Sequence, residues 1–437
     1  PIGSSALAVV RLSGGCLDQF LSIINKKNIK PRYNYTIEFK SFKSKKTIDT
    51  CIMVYYKAPS SFTGEDMLEI SCHGNDFIVE TIINEFVEQG ARIAYPGEFS
   101  YRAFQNNKID LMQAESISAK ITANSSSYGV ALQNIENGAT SKRLEKLKDV
   151  VLNVITIIEH ELDFNEEEID HLKTKDINKE FKKIRKSLSL IVKRSEVIKK
   201  INRGYNVVIL GFPNVGKSTL FNKILGVDRA LVTSIKGTTR DFLEAKITIK
   251  NIPFTFFDTA GYRKTKNRVE GMGIKKGLAL LKGADVVLVV DDKNPQKTLE
   301  ESISANLINQ AQQVVCVKTK CDQLKKGNHS AKGELKVSAK NNVGINQLLT
   351  RLLTCVASKI DKPTYADVVV CNERQLSLIK EANKNINLII QDLEAGCSMD
   401  IVASGCRMFV QNIEDLLGVI TSEDVLDKIF KGFCVGK

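Results

Sequence analysis

Gly211-Phe212-Pro213-Asn214-Val215-Gly216-Lys217-Ser218 fits G-x-x-x-x-G-K-[ST], and this stretch decides how the rest of the chain is read. An apolar run, Val207 to Leu210, enters it as a strand, and an amphipathic helix leaves it over about Lys217 to Leu225. A phosphate-binding loop requires that strand-turn-helix context. Its glycines let the backbone close around a phosphate chain, successive N–H groups point inward, and the positive end of the following helix faces the same anion. The expected nucleotide contacts are Asn214, Val215, Gly216, Lys217, Ser218 and Thr219. Among them Lys217 reaches the β- and γ-phosphates and Ser218 ligates Mg²⁺.

Partner motifs choose the nucleotide. Gly237-Thr238-Thr239-Arg240-Asp241 lies between the first helix and the next strand, where the Thr239 hydroxyl completes the Mg²⁺ shell and senses the γ-phosphate. Thr233, Ser234, Ile235, Lys236, Gly237 and Thr238 are placed at the nucleotide with it. After the strand Phe254 to Phe257 comes Asp258-Thr259-Ala260-Gly261, whose Asp holds Mg²⁺ through water and whose Gly261 offers its N–H to the γ-phosphate. Two buried-type strands follow, Val286 to Val290 and Val314 to Val317, the second ending at Thr319-Lys320-Cys321-Asp322. A carboxylate there accepts hydrogen bonds from guanine N1–H and the 2-amino group, which adenine cannot supply. Ser338-Ala339-Lys340 then closes over the base. Each motif alone is weak, and five in this order point to GTP.

With 437 residues, the chain exceeds one hydrophobic core, so two or three domains are expected. Charged residues at 26% and apolar residues at 43% describe an ordinary globular protein. No apolar run reaches the roughly 20 residues needed to span a bilayer, so no membrane association is expected. The chain opens on Pro1 and not Met, so a few preceding residues are expected to be missing, and no signal pattern stands at its start. An excess of 63 Lys and Arg over 50 Asp and Glu leaves +13, consistent with a polyanionic partner such as RNA and equally with a lysine-rich surface. Ten cysteines without a C-x-x-C pair and four scattered histidines support neither a zinc site nor a disulfide framework.

Toward the N-terminus, short strands and helices alternate up to about Ile109. Ala8 to Leu12, Ile52 to Tyr56 and Ala91 to Ala94 read as strands, and Phe77 to Gln89 as a helix. The polar stretches Ser61 to Gly74 and Tyr95 to Phe104 suit either a small-molecule pocket or capped surface turns. From Leu111 to about Lys200 proline is absent and apolar residues recur at helical spacing, clearest over Val150 to Leu162 and Ile184 to Ile198. Helical spacing resumes over Glu373 to Leu393 and Ile401 to Leu417. The economical arrangement is one helical domain formed by both flanks, with a Ras-like P-loop GTPase domain inserted. The boundaries are an α/β domain over 1–109, helical parts over 110–203 and 363–437, and the nucleotide domain over 204–362.

Along its whole length the sequence resembles the MnmE (TrmE) family of tRNA-modification GTPases. The resemblance rests on Ser61 to Gly74, Pro96-Gly97-Glu98-Phe99 with Arg102-Ala103-Phe104, Lys108 to Glu115, Asp163-Phe164 with Glu167 to Asp170, the GTPase motifs, and the terminal Phe433-Cys434-Val435-Gly436-Lys437. It implies an N-terminal domain of folate-binding type that also forms a homodimer. It further implies a 5-formyltetrahydrofolate or related one-carbon donor and a heterotetramer with the flavoprotein MnmG. Together these would install an aminomethyl-type group at C5 of the wobble uridine of tRNA, in a bacterial cytoplasm or in a mitochondrion. Carried over by motif, Arg11, Glu69, Lys108 and Lys437 contact folate, and Cys434 is placed either in chemistry on the one-carbon unit or in packing of the C-terminus.

For GTP hydrolysis the resemblance implies a K⁺ ion ringed by Asn214, Thr233, Ile235 and Thr238, with Glu270 positioning water. Tyr262 follows Asp-Thr-Ala-Gly where many GTPases carry a water-orienting Gln, and Arg240 and Arg263 are nearby without a recognisable finger role. Thr319 replaces the commoner Asn, removing an amide donor that would steady the nucleotide. Two other classes fit a basic GTP-binding chain: a ribosome-assembly GTPase, whose KH-like G-x-x-G loop is absent after Pro363, and a GTP switch that only recruits partners.

Overall fold

Period-two alternation builds the first sheet: β1 (Ser5–Ser13), β2 (Asn34–Lys40), β3 (Thr47–Tyr56) and β4 (Met67–Gly74), antiparallel in the order β1-β4-β3-β2. Every second residue faces one side, so Ile37, Phe39, Cys51, Met53, Tyr55, Leu68, Ile70 and Cys72 form a buried layer. Helix α1 (Asp76–Glu88), capped by the Asn75 side chain accepting from the Phe77 N–H, covers that layer with Ile82 and Phe86. Phe86 meets Phe20, Phe39 and Phe42 in edge-on contacts at 5.5–5.9 Å. Burial of each such ring is worth about 1.5–3 kcal/mol.

Coordinates come from a computed structural model, which describes residues 5–15, 17, 20–21, 29–163, 174–226, 243–258, 279–308, 312–323, 333–357, 369–419 and 423–433. The chain divides into two units. One comprises Pro1–Thr122, Leu132–Ser189 and Val370–Lys437; the other comprises Ala123–Ala131 and Leu190–Val369.

Ala91 to Ala94 is not a strand. Gly90, with φ +99°, ends α1, the Ala91 N–H returns to the Phe86 carbonyl, and the Arg92 side chain is drawn to Glu98. Side-chain pairing takes the place of a ladder there. Conversely, the polar-looking motif around Glu69 is the inner strand β4, whose alternate residues are fully buried.

Helices follow: α2 (Glu98–Gln105), α3 (Leu111–Ile121), α4 (Ser126–Glu136), α5 (Ala139–Asp163) and α6 (Thr174–Arg203). Asp110 opens α3 with a capping box, its carboxylate accepting from the Gln113 N–H while the Gln113 side chain accepts from the Asp110 N–H. Helix α6 buries Ile177, Phe181, Ile184, Leu188, Ile191 and Ile198, a repeat of three and four residues that leaves its opposite face charged.

The second sheet contains β5 (Tyr205–Leu210), β6 (Leu243–Ile249), β7 (Ile252–Asp258), β8 (Val286–Asp291), β9 (Gln313–Lys318) and β10 (Leu335–Lys336), in the order β10-β9-β8-β5-β7-β6. All neighbours are parallel except β6 and β7, a hairpin whose turn residues Lys250 and Asn251 have φ of 46° and 65°. Helices α7 (Lys217–Leu225), α8 (Pro295–Ser304) and α9 (Ile345–Ala357) flank this sheet among the described residues. From β5 the chain moves to β6 and β7 on one side and then to β8 on the other. The carboxyl end of β5 is therefore a topological switch point, where open α/β sheets bind ligands.

After that unit come α10 (Glu373–Ala395), α11 (Met399–Leu417) and α12 (Glu423–Lys431). Helix α10 lies antiparallel to the first half of α6, with Asn383 bonded to Ser189 and Glu394 to Asn178. Helix α12 packs on α2 through Tyr101, Phe104, Phe430 and Phe433. An ideal Cβ at Gly97 would stand 2.7 Å from the Phe430 carbonyl oxygen, so glycine is needed where the two elements meet. Among the described residues, no helix is long and apolar enough to cross a membrane.

Candidate functional site

Strand β5 is buried between β7 and β8 and delivers Gly211 to its carboxyl end. An ideal Cβ on Gly211 would lie 2.1 Å from the Val290 carbonyl oxygen, so only glycine lets the loop leave the sheet here. Asn214 and Gly216 then take left-handed conformations, with φ of 64° and 95°, and wrap the loop. Gly216 caps α7 without any side-chain hydrogen bond, so the amides of the first turn remain available to an anion. Lys217, only 7% exposed, donates to the Phe212 carbonyl at 2.7 Å. Burial pulls its ammonium below the ordinary lysine range, with the Asp258 carboxylate opposing.

The two residues assigned to Mg²⁺ at this end meet. Ser218 Oγ donates to Asp258 Oδ2 at 3.0 Å, and Asp258 is 1% exposed. Among the described residues, the other carboxylate oxygen, Oδ1, is buried without a hydrogen-bond partner. A hydroxyl and a carboxylate with an unmet oxygen are the hard donors that Mg²⁺ takes. The residues present fit the ion.

On the guanine side, the Thr319 hydroxyl donates to the Val215 carbonyl, and the Thr319 N–H donates to Asp291 O at 2.9 Å. The hydroxyl thus ties this loop to the phosphate loop despite the missing Asn amide. Lys320 adds a second tie from Nζ to Asn214 O at 2.8 Å and an ion pair with Asp292 at 2.9 Å. Asp322 sits in a 3₁₀ turn, Cys321–Gln323, with its carboxylate exposed. A hydrogen bond from Ser338 holds it below the usual carboxylate range, and nearby Lys340 adds to this. Ser338 exchanges backbone bonds with Val343 at 3.0 Å, so the Ser338-Ala339-Lys340 turn is fixed beside Asp322.

Several expected residues lie outside the described residues: Thr233, Ser234, Ile235, Lys236, Gly237, Thr238, Thr239, Thr259, Ala260, Gly261, Glu270, Cys434 and Lys437. Of the K⁺ set only Asn214 is described.

In the N-terminal domain, β1 and β4 place Arg11 directly opposite Glu69, and the guanidinium pairs with the carboxylate at 2.7 Å. Tyr56 donates to the other Glu69 oxygen at 3.4 Å. Burial pushes the Tyr56 phenol up and Glu69 adds to this, while Arg11 and Arg32 pull it back. Arg32 reaches Ser60 O at 3.1 Å, and Lys108 reaches Pro59 O at 2.9 Å. Arg11, Glu69 and Tyr56 are thus joined to one another, and Arg32 and Lys108 meet the adjacent carbonyls of the 59–60 turn. Sequence reasoning missed Tyr56 and Arg32. The strand period could have found Tyr56, because β3 and β4 turn it and Glu69 to the same face.

A cavity of about 510 Å³ opens between β1, α1, the 90–94 segment and α2. Its walls include Val10, Leu12, Phe20 and Phe86, and Glu98 and Arg102 close one end. Arg11 also lines it, whereas Glu69 and Lys108 do not. Glu98 accepts from Arg92, from Arg102 and from the Tyr95 N–H at 2.5–3.1 Å. Arg102 bridges onward to Glu65 at 2.8 Å. The Tyr95 to Phe104 stretch is thus both a capped turn and a cavity wall. Burial raises the Glu98 carboxyl, but the two guanidinium groups and the amide outweigh it and hold it at about 2.

A folded pKa below the unfolded value gives stability that is present above about pH 4.3 and is lost as pH falls through about 2. Glu98→Gln should therefore flatten the acid limb of stability over that window, as measured by urea midpoints across a pH series. Identical slopes for variant and parent would remove Glu98 from the acid response.

A family model described as the MnmE helical domain matches residues 111–434, and one described as the GTP-binding protein TrmE N-terminus matches residues 1–108. The tRNA modification GTPase MnmE of Aquifex aeolicus (strain VF5) is 36% identical over 444 residues, covering 100% of this chain and 98% of the relative. Its counterpart in Fervidobacterium nodosum is 36% identical over 446 residues, covering 100% and 96%. That of Dechloromonas aromatica (strain RCB) is 35% identical over 441 residues, covering 100% and 97%. The solved G domain of the T. maritima FeoB iron transporter is 25% identical, covers 35% of this chain and 98% of its own, and has a TM-score of 0.28. The architecture of the nucleotide-binding unit stands on the chain's own sheet order and P-loop, and full-length identity with both family models places the chain in the MnmE (TrmE) family.

Proposed function

We propose that the chain is a GTP-hydrolysing tRNA-modification enzyme. In this reading it acts with the flavoprotein MnmG to install an aminomethyl-type group at C5 of the wobble uridine, using a folate one-carbon unit. The observation that carries the GTPase part is the pairing of Ser218 with Asp258, one of whose oxygens is buried and unmet among the described residues, beside a helix N-terminus that begins at Gly216. The modification part is supported by the names that the full-length relatives carry.

In this mechanism the loop amides of 214–218 and Lys217 bind the β- and γ-phosphates, and Asp322 selects guanine over adenine. Ser218, Asp258 and Thr239 would hold Mg²⁺, which when bound would supply neutralisation of charge on the phosphate oxygens. Asn214, Thr233, Ile235 and Thr238 would hold K⁺, which when bound would supply positive charge beside the phosphates. Glu270 positions the attacking water. Arg11, Glu69, Lys108 and Lys437 would contact the folate, whose tail carboxylates suit cations and whose pterin suits a carboxylate, with Cys434 assigned either to the one-carbon unit or to packing of the C-terminus. The assembly is a homodimer through the N-terminal domain, joined by MnmG into a heterotetramer that takes tRNA, in the bacterial cytoplasm or in a mitochondrion.

Glu270→Ala should lower GTP hydrolysis about 100-fold while GTP affinity stays nearly intact, as read by single-turnover kinetics and nucleotide titration. A comparable fall in both would make the residue structural. For the whole reading, the test is mass spectrometry of nucleosides from total tRNA, with and without the chain. An aminomethyl or carboxymethylaminomethyl uridine should vanish and return with the parent chain but not with Glu270→Ala. Unchanged nucleosides would refute the modification role.

A further inference from the structure

The positive charge of the helical elements is concentrated on one of them. Helix α6 has eleven Lys and Arg against three Asp and Glu, a formal +8 of the chain's +13. The other long helices lean the opposite way: α5 has four basic against five acidic residues, α10 three against four, and α11 one against three. A chain that was merely lysine-rich would show its excess on all four. The charge is also one-sided. Ile177, Phe181, Ile184 and Leu188 hold α6 to its neighbours, while Lys175, Lys179, Lys182, Lys183, Arg185 and Lys186 are exposed on the other side.

We infer that this face of α6 is where the phosphate backbone of tRNA docks, an assignment that rests on the tRNA-modification reading above. Lys175, Lys179, Lys182 and Lys186 follow the four-three-four spacing that stacks side chains on one helix face. At 1.5 Å per residue, neighbours in that row stand about 5–6 Å apart along the axis and the row spans about 16 Å. A row at that interval follows the successive phosphates of a nucleic-acid strand and uses no base edge. Acidic groups at the face do not close it. Lys182 pairs with Glu394 at 2.7 Å and Lys183 with Glu180 at 2.5 Å, but all four side chains are 45–61% exposed. Pairs of that kind contribute little and yield to a polyanion. Release of counterions from the RNA supplies the affinity, so binding must weaken steeply with salt.

The test uses the full-length chain and fluorescently labelled bulk tRNA, with dissociation constants measured between 50 and 200 mM salt. A variant carrying Lys175→Ala, Lys179→Ala and Lys186→Ala keeps the helix, since Ala is the best helix former and the inward residues are untouched. It should bind about tenfold more weakly at the lowest salt, and the slope of log affinity against log salt should shrink by about 2. A matched variant on α5, with Lys142→Ala, Arg143→Ala and Lys146→Ala, removes the same charge from another exposed face and should bind within about twofold of the parent. GTP hydrolysis should be the same in all three. No tRNA binding by the parent, no loss on the α6 variant, or equal losses on both variants would each overturn the assignment. Failure of the underlying reading looks different: tRNA binds through α6, yet cells lacking the chain have unchanged tRNA nucleosides.

Discussion

Asp322→Asn is expected to turn the nucleotide site from GTP toward xanthosine triphosphate. The Asp322 carboxylate is exposed, yet it stands on a fixed mount: a 3₁₀ turn after β9, a hydrogen bond from buried Ser338, and Lys340 beside it. Thr319 and Lys320 bolt that turn to the carbonyls of Val215 and Asn214. The substitution therefore alters the hydrogen-bonding pattern without loosening the loop. An ionised carboxylate accepts from guanine N1–H and the 2-amino group, and hydrogen bonds to a charged acceptor are worth about 1.5–3 kcal/mol each. An Asn amide still accepts from N1–H but faces the 2-amino group with its own N–H, so GTP should lose about 3 kcal/mol or more, a factor of at least about 100. Xanthine carries a carbonyl at that position and accepts the Asn N–H. Displacement of a fluorescent guanine nucleotide by GTP and by xanthosine triphosphate reads both affinities, and an unchanged preference would place the guanine contact on another residue.

How much of this was legible beforehand depended on range. Strands β5, β8 and β9 are buried on both faces and appear as unbroken runs such as Val286 to Val290, so neither their existence nor their parallel pairing needed distant information. The phosphate-loop spacing gave Lys217 and Ser218, and the order of motifs gave Asp258 and Asp322. Strand β4 was hidden because Glu69, Ser71 and His73 alternate with its buried residues, and a strand with polar alternate positions looks like a decorated turn. That Arg11 faces Glu69 follows from antiparallel register across 58 residues, which local pattern cannot supply. Ala91 to Ala94 had strand-like composition, but its Arg92 side chain, and the Tyr95 N–H just after it, were claimed by Glu98. Period alone could not anticipate that Arg92 finds a partner six residues further on that outcompetes a sheet edge.

The longest-range feature predicts the largest loss of stability. Arg374→Ala should destabilise the unit containing the helical segments by about 3–5 kcal/mol. Arg374 stands in the first turn of α10 and grips Glu115 of α3 with two bonds, at 2.7 and 2.9 Å, across 259 residues of sequence. Its remaining donors satisfy the carbonyls of Asp415 and Leu416 at 3.0 and 3.3 Å, which the end of α11 leaves without helical partners. Glu115 is 6% exposed, and without the guanidinium its carboxylate would be held, among the described residues, by Gln375. The cost is thus an uncompensated buried charge together with two orphaned carbonyls, far above the fraction of a kcal/mol typical of surface pairs. In a thermal scan the transition of this unit should fall by about 10 °C. Binding of Mg²⁺ and GDP should be unchanged, because the phosphate loop and Asp322 belong to the other unit. Adding Glu115→Gln to Arg374→Ala should recover part of the loss, since a neutral amide needs no counter-charge. If the double variant were as unstable as the single one, the carbonyl caps of α11 and not the ion pair would be what Arg374 chiefly supplies.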